Sequence, residues 1–230
     1  MKRFLSVITI ATLLFTLSCS KSNDNNSQSE KPIAKAAYDN SNYGYYKGVF
    51  VGSTGIIVID INNDNTLSAY FRVDGVDYNF TTTQTIQQGQ ATTLNFVSGS
   101  NSFTFTVDAN GANPTITNLV MNGHPDAAVL VVKETSTTLV KCYEGTFTGD
   151  DNGIFNAVIY GTQIKGLARS TTFNEDYEVD GTVSNNQIYA SGTASTGATF
   201  EGVISGNNLS GTWDNSLDNL SGNWSGTRTY

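Results

Sequence analysis

The stretch 199-TFEGVISGNNLSGTW-213 alternates apolar and polar residues on both sides of a tight turn. One face of its two arms reads Phe200, Gly202, Ile204 and then Leu209, Gly211, Trp213, which is the period of a half-buried β-hairpin. Each arm thus carries a glycine in the middle of its apolar face. A glycine inside a strand is about 0.5–1 kcal/mol worse than alanine. The same feature recurs through the second half of the chain at Gly145, Gly166, Gly181, Gly192, Gly202, Gly211 and Gly222. Together these cost roughly 4–7 kcal/mol, on the order of the whole net stability of a small domain. A sheet that curves sharply and closes on itself offsets that cost. Glycines on its concave face permit the bend and leave room for rings opposite. Tyr143, Phe147, Tyr177, Phe200, Trp213 and Trp224 share that face by parity and are expected to lie across the glycines.

Working outward from this hairpin, no helical period is found after Tyr38, only short alternating segments bounded by Gly, Asn and Asp. Strands are predicted at 45–52, 55–61, 66–73, 76–82, 92–98, 102–107, 115–121 and 128–134. A second set is predicted at 143–149, 154–160, 163–170, 176–184, 187–193, 198–205, 208–213 and 220–228. The turns "DNG", "YGTQ", "SNNQ" and "SGNN" are tight hairpin connections. "YKGVFVG" (46–52) and "YEGTFTG" (143–149) share Tyr, Gly, Phe and Gly at one spacing, and each opens a segment of about 90 residues, as a duplicated unit would. The expected fold is all-β, an antiparallel meander in two tandem small β-barrel-like repeats, with one larger merged barrel or a sandwich as the alternative. In the first repeat Ile57, Ile59, Val76, Tyr78, Phe80, Phe103, Phe105 and Val107 occupy inward positions with few glycines. A solid core is expected there.

The pattern "SGNNLSGTW…LSGNWSGT" over about the last 30 residues resembles the Gly-Thr-Trp strands of avidin-like and lipocalin-like barrels, and of uncharacterised bacterial β-barrel lipoproteins. The resemblance implies a barrel more than it implies a ligand.

The chain of 230 residues begins "MKR" and continues with the apolar run "FLSVITIATLLFTL" (4–17). That run is short for a membrane span and suits a signal-peptide core. It ends at Ser18–Cys19 and resembles a bacterial lipoprotein signal of the Bacteroidota type, in which the cysteine becomes the lipidated first residue. The departure is Thr16, where the common pattern has Leu; here Leu17 follows it. Residues 1–18 read as the signal peptide and 19–37 as the lipidated Cys19 with a polar tether, a coil whose ends lie on the order of 25 Å apart. The remaining organisation is 38–134, first repeat; 135–142, linker; 143–230, second, glycine-rich repeat. Several acyl chains on Cys19 hold a protein stably on a membrane. The expected location is the outer membrane, with the leaflet left open. Lipidation of Cys19 leaves Cys142 without a disulfide partner, and it reads as a structural thiol.

The formal net charge is −8, and removal of 1–18 takes away Lys2 and Arg3 and makes it two units more negative. No basic cluster follows Arg3, which argues against nucleic acid. No G-x-S-x-G motif occurs and His124 is the single histidine, so no catalytic set is legible and no cofactor is expected. Asp60, Asn62 and Asp64 echo the start of a calcium loop, but Asn65 stands at its glycine position and Phe71 at its closing glutamate; turn chemistry explains them equally well. Glu178 and Asp180 share the outward face of one strand. They suit a solvated sheet face better than glycoside chemistry. Tyr43, Tyr45 and Tyr46 form an aromatic cluster that either closes the first repeat or contacts a partner. The reading is a non-enzymatic envelope lipoprotein, binding or accessory to an outer-membrane protein complex. The alternative is a carrier of a small apolar or glycan ligand, held by Tyr177, Phe200, Trp213 and Trp224, and a carboxylate-based hydrolase comes third. An aromatic-lined cavity favours the carrier, a filled barrel with an exposed apolar patch the partner, and a cleft of carboxylates the hydrolase.

Overall fold

A computed structural model describes residues 31–192 and 197–230. The expected signal peptide, Cys19 and most of the expected tether lie outside the described residues. After a short 3-10 turn, Ala36–Tyr38, the first half runs β1 (Gly44–Val51), β2 (Gly55–Ile61), β3 (Leu67–Val73), β4 (Val76–Thr81), β5 (Thr92–Ser98), β6 (Asn101–Val107), β7 (Thr115–Val120) and β8 (Ala128–Lys133). The second half runs β9 (Val140–Gly149), β10 (Gly153–Tyr160), β11 (Gln163–Ser170), β12 (Asp176–Ser184), β13 (Gln187–Gly192), β14 (Ala198–Ser205), β15 (Asn208–Asn215) and β16 (Leu220–Arg228). The fold is all-β and antiparallel, in two tandem barrel-like repeats.

The second repeat is a closed eight-stranded barrel, each strand bonded to the next and β16 back to β9. The first is an eight-stranded sheet in the order β7-β6-β5-β4-β3-β2-β1-β8. It curls around its core but stops short of closure, since β7 and β8 share no ladder. Its ladder is also thin between β4 and β5, which pair only at Thr81 and Val97. There the 82–91 connection takes over from the ladder: Ile86 packs on the core and Gln84 Oε1 accepts the Asn95 N–H at 2.6 Å.

The duplicated motif has one structural role in both halves. Tyr46 and Tyr143 are both enclosed, and Phe50 and Phe147 both face inward. Gly48 and Gly145 both lie against a neighbouring backbone, where a Cβ would stand 2.0 Å from Leu130 O and 1.9 Å from Ser225 O respectively. Each motif forms the strand that receives both the next strand and the last one of its repeat.

The first core is solid, as expected: Phe71, Phe80, Phe96 and Phe103 stack or tilt on one another at 4.6–5.1 Å between ring centres. Val76 differs from expectation. It sits at the tip of the β3–β4 hairpin, opposite Val73, and is 53% exposed. Its cross-strand neighbour Val73 is fully buried, so the core ends between the two strands at this tip, where the Asp74–Gly75 turn has positive φ at both residues (49° and 81°), the tight type I′ connection.

The two repeats share a dry wall. β1 and β10 are buried on both faces, so their burial does not alternate. One face of each lines its own repeat. The other contributes Val49 of β1 and Val158 of β10 to a common apolar cluster, joined by Ile56 of β2, Val132 of β8 and Val140 and Cys142 of β9. Asn156 Nδ2 donates across it to Phe50 O at 2.6 Å. At one end of this wall Lys47 and Glu134 form a buried ion pair at 2.5 Å. Glu134 also accepts the Ile33 N–H (2.8 Å) and the Val140 N–H (3.0 Å), and Lys47 lies 4.9 Å from the Tyr230 ring centre. One carboxylate thereby ties the N-terminal segment, β1 and β9 together. The span read as a linker, 135–142, is a tight turn with a Thr135–Thr138 bridge, followed directly by β9. The last part of the span read as a tether lies on the first sheet, where the Lys35 N–H reaches Asn63 Oδ1 at 2.9 Å.

Candidate functional site

In the interior of the closed barrel three of the inward glycines are paired with rings. A Cβ on Gly202 would stand 2.4 Å from the Trp224 ring, one on Gly222 2.5 Å from the Trp213 indole nitrogen, and one on Gly166 2.7 Å from the Phe155 ring. Each ring therefore occupies space that a side chain on the facing strand would need. Phe155 stacks on Phe200 at 5.9 Å and meets Trp224 edge-on at 5.4 Å. Below them Ile159, Ile164, Ile188 and Leu209 fill the barrel. An eight-stranded barrel has an interior that side chains just fill, or that holds one small ligand. This barrel does the first over most of its height and leaves space for the second near one end.

At that end the packing opens. Among the described residues a Cβ on Gly192 would come no closer to any atom than 3.6 Å, at Ala198, whereas Gly145, Gly181 and Gly211, which also lack a facing ring, have a backbone oxygen at 1.9–2.3 Å. Gly192, Ala198 and Ala168 together leave a cup of about 390 Å³, within the ~300–1,000 Å³ range of small-molecule sites. Phe147, Phe200 and Trp213 form its inner wall and Tyr177 stands half-buried beside them. Phe147 and Trp213 meet edge-on at 6.1 Å. The Trp213 indole N–H donates to Thr148 O at 3.1 Å and the Trp224 N–H to Thr212 O at 3.1 Å, so both indoles are fixed with their polar edges satisfied. Of the four residues expected to hold a ligand, Tyr177, Phe200 and Trp213 line the cup. Trp224 does not: it is 2% exposed and forms part of the packed layer beneath.

The rim comes from the turns at this end of the barrel, and it is acidic. Asp151, Glu175 and Asp218 all line the cup, and its lining among the described residues includes no Lys, Arg or His. Asp151, in the β9–β10 turn, is buried. Its Oδ1 accepts from Ser170 Oγ (2.9 Å) and the Asn152 N–H (2.7 Å), and Oδ2 takes no hydrogen bond among the described residues. Ser170 Oγ in turn accepts the Phe173 N–H at 2.8 Å, which places the Phe173 ring, half of it exposed, at the mouth. Asn215 caps the β15–β16 turn: its Oδ1 accepts the Leu217 and Asp218 N–H groups, and its Nδ2 donates to Asp218 Oδ2 at 2.9 Å. Tyr177 donates to Glu175 Oε2 at 3.0 Å. Burial raises the Tyr177 pKa first, and the Glu175 hydrogen bond and the charges of Glu175, Asp151 and Asp218 push it further, up to about 12. All three carboxylates thus act on one hydroxyl.

The other candidate residues are held in local structure. Tyr46 is fully enclosed and donates to Asn42 O at 2.8 Å; Tyr45 donates to Asp64 (2.8 Å) and Tyr43 to Ile86 O (3.3 Å). The tyrosine cluster therefore closes the end of the first sheet. In the 60–65 turn Asp60 Oδ1 accepts the Asn63 N–H (2.7 Å) and Oδ2 the Thr66 hydroxyl (2.9 Å), while Asp64 pairs with Lys35 at 3.1 Å. Among the described residues no group of His, Cys, Asp and Glu is arranged to hold a metal ion. Asp180 pairs with Lys165 at 3.3 Å on the outer wall, and Glu178 is exposed on the same strand. Cys142 is fully buried, its Sγ 3.5 Å from Gly48 O, and burial pushes its thiol up to about 12.

One constellation has no signal in the sequence spacing. His124 Nδ1 lies 2.6 Å from Ser53 Oγ and 3.5 Å from Asp74 Oδ2. A Ser-His-Asp triad needs serine and aspartate on opposite ring nitrogens. Here both share Nδ1, and the arrangement is a tie between the β1–β2 and β3–β4 turns and the β7–β8 connection.

Comparison with protein-family models, with curated proteins and with solved structures finds no match for this chain.

Proposed function

We propose that the protein is a binding protein whose second barrel holds a small, largely apolar organic ligand in the cup above Phe200 and Trp213. The observation that carries this reading is the clearance above Gly192, beside the small side chains of Ala168 and Ala198, which leaves a preformed aromatic-walled cavity at one end of the barrel. Preformed concave apolar sites with a few convergent polar groups are what small ligands use. The lipoprotein-type N-terminus supports a setting for it: Cys19 anchors the chain to the outer membrane, and the barrels work beside that surface. Between a carrier and an accessory subunit the cavity favours the carrier, since the tyrosines suited to a partner contact are hydrogen-bonded into the first sheet.

Native mass spectrometry of the protein taken from cell envelopes under non-denaturing conditions tests this. The expected result is a bound mass of a few hundred daltons that is absent from a Gly192→Val variant, whose added methyl groups project into the cup. An identical, ligand-free spectrum for both proteins, unchanged on adding envelope lipid extract, would contradict it.

A further inference from the structure

The charge at the mouth of the cup narrows the ligand class. Resting on the reading of the cup as a ligand site, we propose that its ligand is a small organic cation, an alkyl or aryl body ending in an ammonium head. The body lies on Phe147, Phe200 and Trp213 and the head among Asp151, Glu175 and Asp218.

Three features support this. First, the lining carries three carboxylates and no cationic side chain among the described residues. The nearest strand cation, Arg169, follows the inward Ala168 and is turned to the outer wall, where it makes a two-pronged pair with Asp176 at 2.5 and 2.7 Å. Second, Asp151 is buried beside apolar rings, yet only its Oδ1 is used by the fold. Its Oδ2 takes no hydrogen bond from the described residues, and an ammonium head in the cup supplies a charge-assisted partner for it. Third, the aromatic side chains Phe147, Phe200 and Trp213 give the inner wall an apolar surface for the body and leave the carboxylates to the head. A carboxylate or phosphate ligand would meet three like charges with nothing to offset them. The space, about 390 Å³, lies at the lower end of the ~300–1,000 Å³ range of small-molecule sites.

The test is a matched series on the full chain at pH 7: octylammonium, octanol and octanoate, one body with positive, neutral and negative heads. Binding is followed by tryptophan fluorescence and by calorimetry. The expected order is octylammonium tightest, by about tenfold over octanol at low salt, with octanoate weakest. The cation's advantage should shrink severalfold when ionic strength rises to about 0.5 M, as screening requires. In Asp151→Asn, Glu175→Gln and Asp218→Asn variants the advantage of octylammonium over octanol should fall by about threefold each. Equal binding of all three ligands, or octanoate tightest, overturns the cation proposal and leaves the cup intact as an apolar site. Binding of none of them overturns both. The salt dependence is read on the unaltered protein, so the proposal stays testable even if a variant fails to fold.

Discussion

Gly202 and Gly192 occupy the same kind of position, inward on adjacent strands, but they do opposite things. Gly202 is small because the Trp224 ring and Ser210 O lie where its Cβ would be, at 2.4 and 2.5 Å. Gly192 has ordinary clearance. Gly202→Ala should therefore destabilise the protein by about 1–3 kcal/mol through overpacking. Gly192→Ala should be neutral or stabilising by up to about 1 kcal/mol, since only unfolded-state entropy changes. Urea unfolding of the two variants separates them, and equal destabilisation would mean that no space exists above Gly192. The ring-over-glycine arrangement was legible in the sequence, because strict alternation put Trp213, Trp224 and seven glycines on one face. Which glycine keeps clearance was not, because alternation gives the face a residue shares and not how closely neighbouring backbone and rings approach it. The acidic rim was equally hidden. Asp151, Glu175 and Asp218 lie in separate turns, and only closure brings those turns to one end; the available signal was that alternate turns of an up-and-down barrel share an end.

Among the strands, β1 and β10 carry the junction between repeats, and their burial on both faces is the mark of it. Sequence alternation placed all sixteen strands to within three residues at their described ends, because each has at least one face that must be apolar. It could not show that Val49 and Val158 on the opposite faces meet, with Cys142 of β9, in one apolar wall. The buried Lys47–Glu134 pair at the end of that wall orders three elements at once. Removing one charge leaves the other buried and unpaired, which costs about 3–5 kcal/mol. Lys47→Met should lose that amount in denaturant unfolding. Adding Glu134→Gln should recover more than half, since the amide oxygen still accepts a backbone N–H. A double variant no better than Lys47→Met would show that the pair matters for packing and not for charge.

Taken as a unit, the molecule pairs a solid first repeat with a second one that is open at one end, and its ionisable groups make it sensitive to alkali. Burial raises the pKa values of Tyr45, Tyr46, Tyr160 and Tyr230 and pushes the Cys142 thiol up to about 12. In the unfolded chain the thiol ionises near 8.5 and tyrosine near 10. Between those values and the folded ones the unfolded state holds fewer protons, so stability is full below about pH 8.5 and falls as pH rises. Lys133, which burial lowers to about 8, acts in the opposite sense, but it is one group against these five and the likewise raised Tyr70 and Tyr177. Urea midpoints should decline progressively above about pH 9; a midpoint that is flat to pH 11 would contradict the burial assigned to these groups.

The most direct test of the cup uses the chain's two tryptophans, one in its wall and one sealed beneath it. Their indole N–H resonances can be followed by ¹⁵N NMR while octylammonium is added. The Trp213 signal should move saturably and the Trp224 signal should stay within a small fraction of that shift. If neither moves, or if both broaden together without saturation, the cup is not a binding site.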